Sequence, residues 1–418
     1  MLNTKHRIMS SIKIKNFGPI KEGFIDNDGF LPIDKLMIFI GGQGSGKSSI
    51  VKLISTLTWI EKALAKRTIS IDNVVKDDAF ITEWCKWQSI QNYFKPDSYI
   101  EYSGKYIHFK YDTGSVEVNI KEVDNYEIPK ITYIPAERNF LSVLEELENV
   151  KGLPKSLSWT LEEYTKACRS LSRPISIHIN DIKFEYNKSN KISSISGEGF
   201  NDLKLSEASS GIQSVVPMML VLYYLKYFIN NLKTNSIDNL SFAEREALRS
   251  MESNLASNPS LSQEEFQIAM DNLHKKFLPQ NLFSIIEEIE QNLFPESQKN
   301  ILFKSFEFNN DKEDNHLILT THSPYIIAYT TLAMKAFKIK EKVKGNTDLL
   351  EKIELIVPVK SSVNPDLTGI YQIDDKGKVI SIKSERGLIL DNNFLNNSLE
   401  DTNDLFNELL DIEEECRK

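Results

Sequence analysis

Cysteine is scarce in this chain: 418 residues hold three, Cys85, Cys168 and Cys416. They lie far apart and match no zinc-ligand spacing. That excludes a disulfide framework and reads as free thiols in a reducing compartment. A hydrophobic leader is also missing, since MLNTKHRIMSSIKIKNF has no apolar core of a secretory signal. No apolar run reaches the length of a membrane span. The longest, Val215 to Tyr224, has about half the residues needed. Excess positive charge is absent as well: the net charge is −9. Bulk charge therefore does not signal nucleic-acid binding and leaves room only for a local basic groove. The expectation is a soluble, cytoplasmic protein. Its hydrophobic fraction of 41% is enough for a sizeable core, and its length corresponds to two or three domains.

What is present centres on Leu36 to Ile50, LMIFIGGQGSGKSSI. Leu36 to Ile40 is the short apolar run of a buried parallel strand. Gly41, Gly42, Gln43, Gly44, Ser45, Gly46, Lys47 and Ser48 then fit G-x-x-x-x-G-K-[ST], with Ser49 opening a helix. Glycines let the backbone wrap phosphate oxygens with its N–H groups inward. The helix start adds its positive end. Lys47 is expected on the β- and γ-phosphates and Ser48 Oγ on Mg²⁺.

Ahead of this loop, Ser11 to Phe17 alternates as a strand, with Phe24 to Phe30 expected to pair with it as a hairpin. Behind it, Ser55 to Arg67 continues the helix and Asp77 to Phe94 reads as a second. Tyr99 to Tyr102, Lys105 to Tyr111 and Val116 to Ile120 then alternate in steps of two across Ser103-Gly104 and Thr113-Gly114, an antiparallel meander. Lys130 to Ile134 is a buried strand running into Pro135, Ala136, Glu137, Arg138 and Asn139, before a helix carrying Leu141, Leu144, Leu147 and Val150. Ile175 to Ile179 and Ile182 to Tyr186 form a strand pair.

Ser209, Ser210, Gly211 and Gln213 precede the strongly apolar helix Val215 to Ile229. Small residues before a helix N-terminus make an anion site, or equally an ordinary cap. Asn230 to Gln280 is polar and helical, with a capping box at Ser262 and Glu265. Leu282 to Ile286 is a second buried strand, delivering Glu287, Glu288 and Glu290. His316 to Thr321 is a third, delivering His322-Ser323-Pro324. Carboxylates at the end of such a strand suit a metal-and-water site. Strands are expected at Glu354 to Val357, Gly369 to Ile373 and Val379 to Ser384, and an acidic helix from Asn403 to Glu415.

The order of these motifs resembles the ATP-binding-cassette class of ATPases, in the branch with structural-maintenance-of-chromosomes (SMC) proteins, RecF and the OLD nucleases. It covers about Ile12 to Tyr329. The resemblance implies an α/β fold: an ABC-type P-loop NTPase head with a mixed β-sheet, an antiparallel β subdomain and a helical insertion, without a long coiled coil. It implies that Gly41 to Ser48 is Walker A and that Ser209 to Gln213 is the signature motif. Glu287 would hold Mg²⁺ and Glu288 would polarise the attacking water. His322 would be the switch histidine at the γ-phosphate. Such sites are composite, so the signature of one copy covers the ATP held by Lys47 of another, in a homodimer or higher homo-oligomer. One departure stands out: Walker B normally begins with Asp, and here Glu287 takes that place. The glutamine of the Q-loop is not placed; Gln88 and Gln91 are its candidates, each equally a residue of a solvated helix face.

Ile14 to Ile20 (IKNFGPI), Tyr133 to Asn139 (YIPAERN), Leu205 to Ser214 (LSEASSGIQS) and Thr321 to Tyr325 (THSPY) look like ATPases of bacterial anti-phage systems. The nearest in wording is the Septu type, also found with some retrons, where a second gene encodes an HNH nuclease. The PARIS ATPase, which restrains a Toprim nuclease, is a weaker match. The sequence shows no Toprim pattern after His322 and no H-N-H constellation, and Asp374-Asp375 reads as a turn before Gly377. A partner nuclease is therefore expected, HNH before Toprim. The alternatives are a RecF-like DNA-clamping ATPase and a nucleotide-gated scaffold with little turnover. A basic run, Lys335, Lys338, Lys340, Lys342 and Lys344, is a DNA-backbone candidate or a solvated helix face. Arg138 is a candidate γ-phosphate sensor or interface residue, or a structural salt-bridge partner of Glu137 or another acid. The expected divisions are residues 1–60, 61–204, 205–335 and 336–418.

Overall fold

The computed structural model describes residues 10–123, 126–144, 150, 152–231, 236–237, 240–257, 262–343, 345–383, 389 and 392–416. Leu147, Lys344 and Ser384 lie outside the described residues.

Apolar runs buried on both faces make the central sheet. Five parallel strands stand in the order Pro129–Ile134, Asn281–Ile286, His316–Thr320, Leu36–Gly41 and Thr368–Ile373. Lys378–Ser381 continues it antiparallel, and Gly23–Phe24 closes that edge. Leu36–Gly41 and Asn281–Ile286 are buried at every residue, as expected for strands covered by helices on both sides. All the loops that follow the parallel strands therefore emerge along one edge.

A five-stranded antiparallel sheet, Leu31–Pro32, Ser11–Phe17, Phe94–Ser103, Ile107–Asp112 and Ser115–Ile120, lies beside this core. The helix Lys47–Ala65 binds the two together. Its Glu61 is 3% exposed. The carboxylate accepts from Tyr102 Oη at 2.8 Å and from the Tyr106 N–H at 2.6 Å. Burial pushes the Glu61 carboxyl up, and these donors oppose it. The chain's four tryptophans gather on the same helix: its own Trp59 meets Trp84 and Trp87, and Trp87 meets Trp159.

On the other face the apolar helix Ser210–Asn230 runs through the larger core cluster. By length and composition it would pass for a membrane span, yet 61% of its most apolar window is buried in the protein. The helices Phe242–Ala256 and Gln263–Phe277 form the insertion, each opened by a complete capping box, Ser241 with Glu244 and Ser262 with Glu265. The longest described helix, Phe394–Cys416, has 23 residues. The molecule is thus a mixed α/β protein with an antiparallel β subdomain and a helical insertion.

Several local expectations change. Phe24 to Phe30 does not pair with Ser11–Phe17. Left-handed Asn27 and Asp28 curl it into a turn, and Leu31–Pro32 takes the pairing instead. Asp77 to Phe94 is not one helix, because Asp77, Asp78 and Ser89 have positive φ and break it around a π-helical turn at Phe80–Cys85. The helix after Asn139 stops at Val143. Glu354 to Val357 is not a strand: the Asn346 side chain caps a helix, Thr347–Glu354, that runs into it. The helix Lys155–Ser170 and the strands Ile192–Gly197 and Phe200–Lys204 were not anticipated.

Replacing Glu61 with Ala strands a buried phenol and a backbone N–H. The expected loss is about 3 kcal/mol of unfolding free energy. Urea denaturation checks it; a loss under about 0.5 kcal/mol would mean the clasp adds nothing.

Candidate functional site

Three neighbouring strands deliver three loops to one edge of the sheet. Leu36–Gly41 ends in the glycine loop, His316–Thr320 in Thr321-His322, and Asn281–Ile286 in Glu287-Glu288. The register is tight: Ile286 pairs Leu319, which pairs Ile38.

The loop Gly41 to Gly46 turns sharply into the helix starting at Lys47. Gly46 has φ +109°, and a Cβ there would sit 2.6 Å from Ile20 Cδ1. No other residue fits both constraints. Gln43, Gly44 and Ser48 are exposed, while Ser49 is buried in the helix. Lys47 Nζ donates to the carbonyls of Gly41 at 2.8 Å and Gly42 at 2.9 Å. Burial holds its ammonium down at about 8, against the pull of Glu288, Glu290 and Glu287. The lysine therefore lies folded over the loop, within the field of the acidic strand end.

Glu287 is 5% exposed, and its Oε1 has no hydrogen-bond partner. The carboxylate next to Tyr133 adds to burial in pushing that phenol's pKa far up. Glu288 adopts φ +45°, a left-handed conformation that costs a non-glycine residue about 1 kcal/mol. Its N–H donates to Thr320 Oγ1 at 3.1 Å. Glu290 Oε1 accepts the His322 N–H at 2.6 Å, tying the histidine loop to the acidic loop. Burial raises the Glu290 carboxyl. Burial and the Lys47 charge lower the His322 imidazole.

Ser209 stands at the N-cap position of the apolar helix without a side-chain cap bond, and Ser209 and Ser210 are exposed. Gly211 lies so close to the acidic loop that a Cβ would meet Asn292 O at 2.6 Å. Ser214 Oγ donates to Gln291 Oε1 at 2.7 Å. Gln213 turns back, its Nε2 donating to the carbonyls of Ser206 and Leu205. The S-S-G segment is thus fixed to the acidic loop of its own chain and faces outward.

Arg138 corrects the sequence reading. It is 0% exposed, so it neither reaches a phosphate nor crosses an interface. Its hydrogen bonds go to carbonyl oxygens rather than to Glu137: Nε to Ser214, Nη1 to Glu287 and Pro135, and Nη2 to Glu288. Its signal in the sequence was the buried strand Pro129–Ile134 running into the turn Ala136–Asn139.

Gln88 is 6% exposed among the tryptophans and does not lie on a solvated face. Its Nε2 faces Ser55 Oγ at 3.4 Å, about 10 Å along the helix from Ser48. Gln91 has a buried, unpartnered Oε1. It lies near Tyr93, whose carbonyl accepts the Gly18 N–H. Phe394, where the C-terminal helix begins, stands against Gly42, a contact the sequence did not announce. Asp374 Oδ1 accepts the N–H groups of Lys376 and Lys378, and so serves its hairpin turn.

No protein-family model matches this chain, and no curated protein matches its sequence. Solved structures do match. An SMC head bound to the C-terminal winged-helix domain of ScpA aligns at 11% identity with TM-score 0.38, covering 77% of this chain and 92% of that one. The SMC head domain from Thermotoga maritima aligns at 12% with TM-score 0.35, over 77% and 92%. A dimeric ATP-binding cassette in a post-hydrolysis state, bound to ADP and phosphate, aligns at 12% with TM-score 0.28, over 76% and 90%. At such scores the site's own geometry has to carry any functional reading.

Substituting Glu288 with Gly should release the left-handed strain and raise stability by about 1 kcal/mol or less. A lower urea midpoint would show that the Glu288 side chain supports the fold.

Proposed function

We propose that this chain is an ABC-type ATPase that binds and hydrolyses ATP at a composite interface between copies and controls a partner nuclease in anti-phage defence. The observation that carries the ATPase reading is the meeting of Lys47, the Glu287-Glu288 pair and His322 at one sheet edge, from strands that are immediate neighbours.

The glycine-loop amides and Lys47 hold the β- and γ-phosphates. Lys47 leaves its two carbonyl partners and gains charge stabilisation from the phosphates. Glu288 polarises the attacking water, and His322 hydrogen-bonds the γ-phosphate region. The hydroxyl of Ser48 and the unpartnered Glu287 Oε1 offer the hard oxygen donors that suit Mg²⁺. When bound, that ion neutralises phosphate charge. Glutamate in place of the usual aspartate extends the carboxylate by one methylene. Ser209, Ser210 and Gly211 of a second copy cover the nucleotide, with Gln213 bracing their loop. The outward-facing S-S-G segment supports this arrangement.

The nuclease-control reading rests on the Septu-like wording of four stretches. The C-terminal helix adds a surface for a partner, exposing Leu405, Phe406, Leu409, Leu410 and Ile412. ATP occupancy holds the nuclease inactive, and nucleotide loss or hydrolysis releases it.

Lys47→Ala should weaken ATP binding at least about 100-fold. Glu288→Gln should keep affinity within about threefold while turnover falls about 100-fold or more. Calorimetry and a phosphate-release assay measure these; unchanged ATP affinity in Lys47→Ala would sink the site assignment. For the partner, the protein is expressed with the product of the neighbouring gene, expected to be a nuclease. DNA cleavage should be slow with ATP and fast without it; equal rates would refute the control. DNA-stimulated turnover in the lone protein would favour the clamp.

A further inference from the structure

Arg138 performs a job that phosphate binding does not explain. A wholly buried guanidinium usually faces a carboxylate. This one spends its described hydrogen bonds on four backbone carbonyls from three segments. Nη1 reaches Glu287 O at 2.6 Å, Nη2 reaches Glu288 O at 2.7 Å, and Nε reaches Ser214 O at 3.1 Å. The fourth contact, Nη1 to Pro135 O at 3.3 Å, closes its own turn.

The receiving helix is built to be held there. Pro217 lies inside Ser210–Asn230 and has no N–H. The carbonyl four residues earlier, Gln213 O, therefore loses its helical donor. Ser142 Oγ supplies the bond instead, at 2.6 Å. Residues 138 to 142 thus grip consecutive carbonyls, those of Gln213 and Ser214, in the first turns of the helix that carries Ser210 and Gly211. At its other end the grip holds the carbonyls of Glu287 and Glu288, which flank the left-handed Glu288 Cα. An arginine fork suits this task because its donors are planar and rigid, whereas a lysine offers one point.

We propose that Arg138 is a positioning residue. It locks the acidic loop facing one copy's nucleotide to the helix that covers the neighbouring copy's nucleotide, so that occupancy of one site sets the geometry of the other. This rests on the composite ATP site proposed above. Movement of the Glu287-Glu288 peptide as the site fills is carried through one guanidinium to the helix start, about two turns away from Pro217. Ser142 is the second strut of the same link.

The test uses the full chain. Wild type should bind ATP, pair with it, and hydrolyse it with a Hill coefficient above 1. Arg138→Lys should bind a fluorescent ATP analogue within about threefold of wild type at dilute protein, turn over about 10-fold or more slowly, and show a Hill coefficient near 1. Ser142→Ala is the gentler variant, in case Arg138→Lys folds poorly, and should likewise lose cooperativity. Adding Pro217→Ala to Ser142→Ala returns an N–H to Gln213 O. That double variant should regain melting temperature but not cooperativity, which a merely structural role would restore as well. Retained cooperativity in both Arg138→Lys and Ser142→Ala, with wild type cooperative, overturns the link and leaves the ATPase reading standing. A wild type that binds no ATP overturns the ATPase reading itself.

Discussion

The parallel ladder joining Asn281–Ile286, His316–Thr320 and Leu36–Gly41 is the constraint on which the rest depends. Parallel strands point the same way, so the three loops that follow must emerge at one edge. Each strand is apolar on both faces and is held in place by helices packed from either side. The ladder therefore decides that Lys47, Glu288 and His322 share an edge although about 275 residues separate the first from the last. A slip in register would move a loop by one residue, about 3.3 Å, and separate the charges.

Buried polar groups then fasten the surrounding parts to that ladder. Glu61 holds the meander to the helix that begins at Lys47. Glu290 holds the histidine loop to the acidic loop. Arg138 and Ser142 hold the apolar helix to the acidic strand end. Each group lies in low dielectric, where a satisfied hydrogen bond is strong and an unsatisfied one is expensive. Strain collects in the same region: Glu288 is left-handed between two fastened neighbours. Lys47 is desolvated and rests on carbonyls that a phosphate would displace. Both are features that the proposed ATP site would use.

Much of this was legible from local pattern. Four of the strands in the central sheet announced themselves as short buried runs, because burial on both faces removes alternation. The meander showed its period of two, and Ser262 with Glu265 showed its cap. The hairpin expected at Phe24 to Phe30 failed on turn chemistry, since Asn27 and Asp28 tolerate the left-handed region and curl the chain. The strand expected at Glu354 to Val357 failed on a cap: the Asn346 side chain accepts the Leu349 N–H and opens a helix that runs into it. Arg138 was misread for a deeper reason. A sequence shows that an arginine follows a buried strand; it does not show that carbonyls from distant segments wait for it.

The sequence alone determined the chemistry that depends on neighbours in the chain. The glycines, Lys47 and Ser48 are consecutive, as the proposed phosphate loop requires, and so they form a readable motif. The acids and the histidine at strand ends were readable for the same reason. Tertiary structure alone decided what depends on distant segments meeting: the Glu61 clasp, the tie from Glu290 to His322, and the Arg138 grip on Glu287, Glu288 and Ser214. Most of these are hydrogen bonds to backbone atoms, which every residue carries. No residue type marks such a partner in advance, and only the packed fold brings donor and acceptor together.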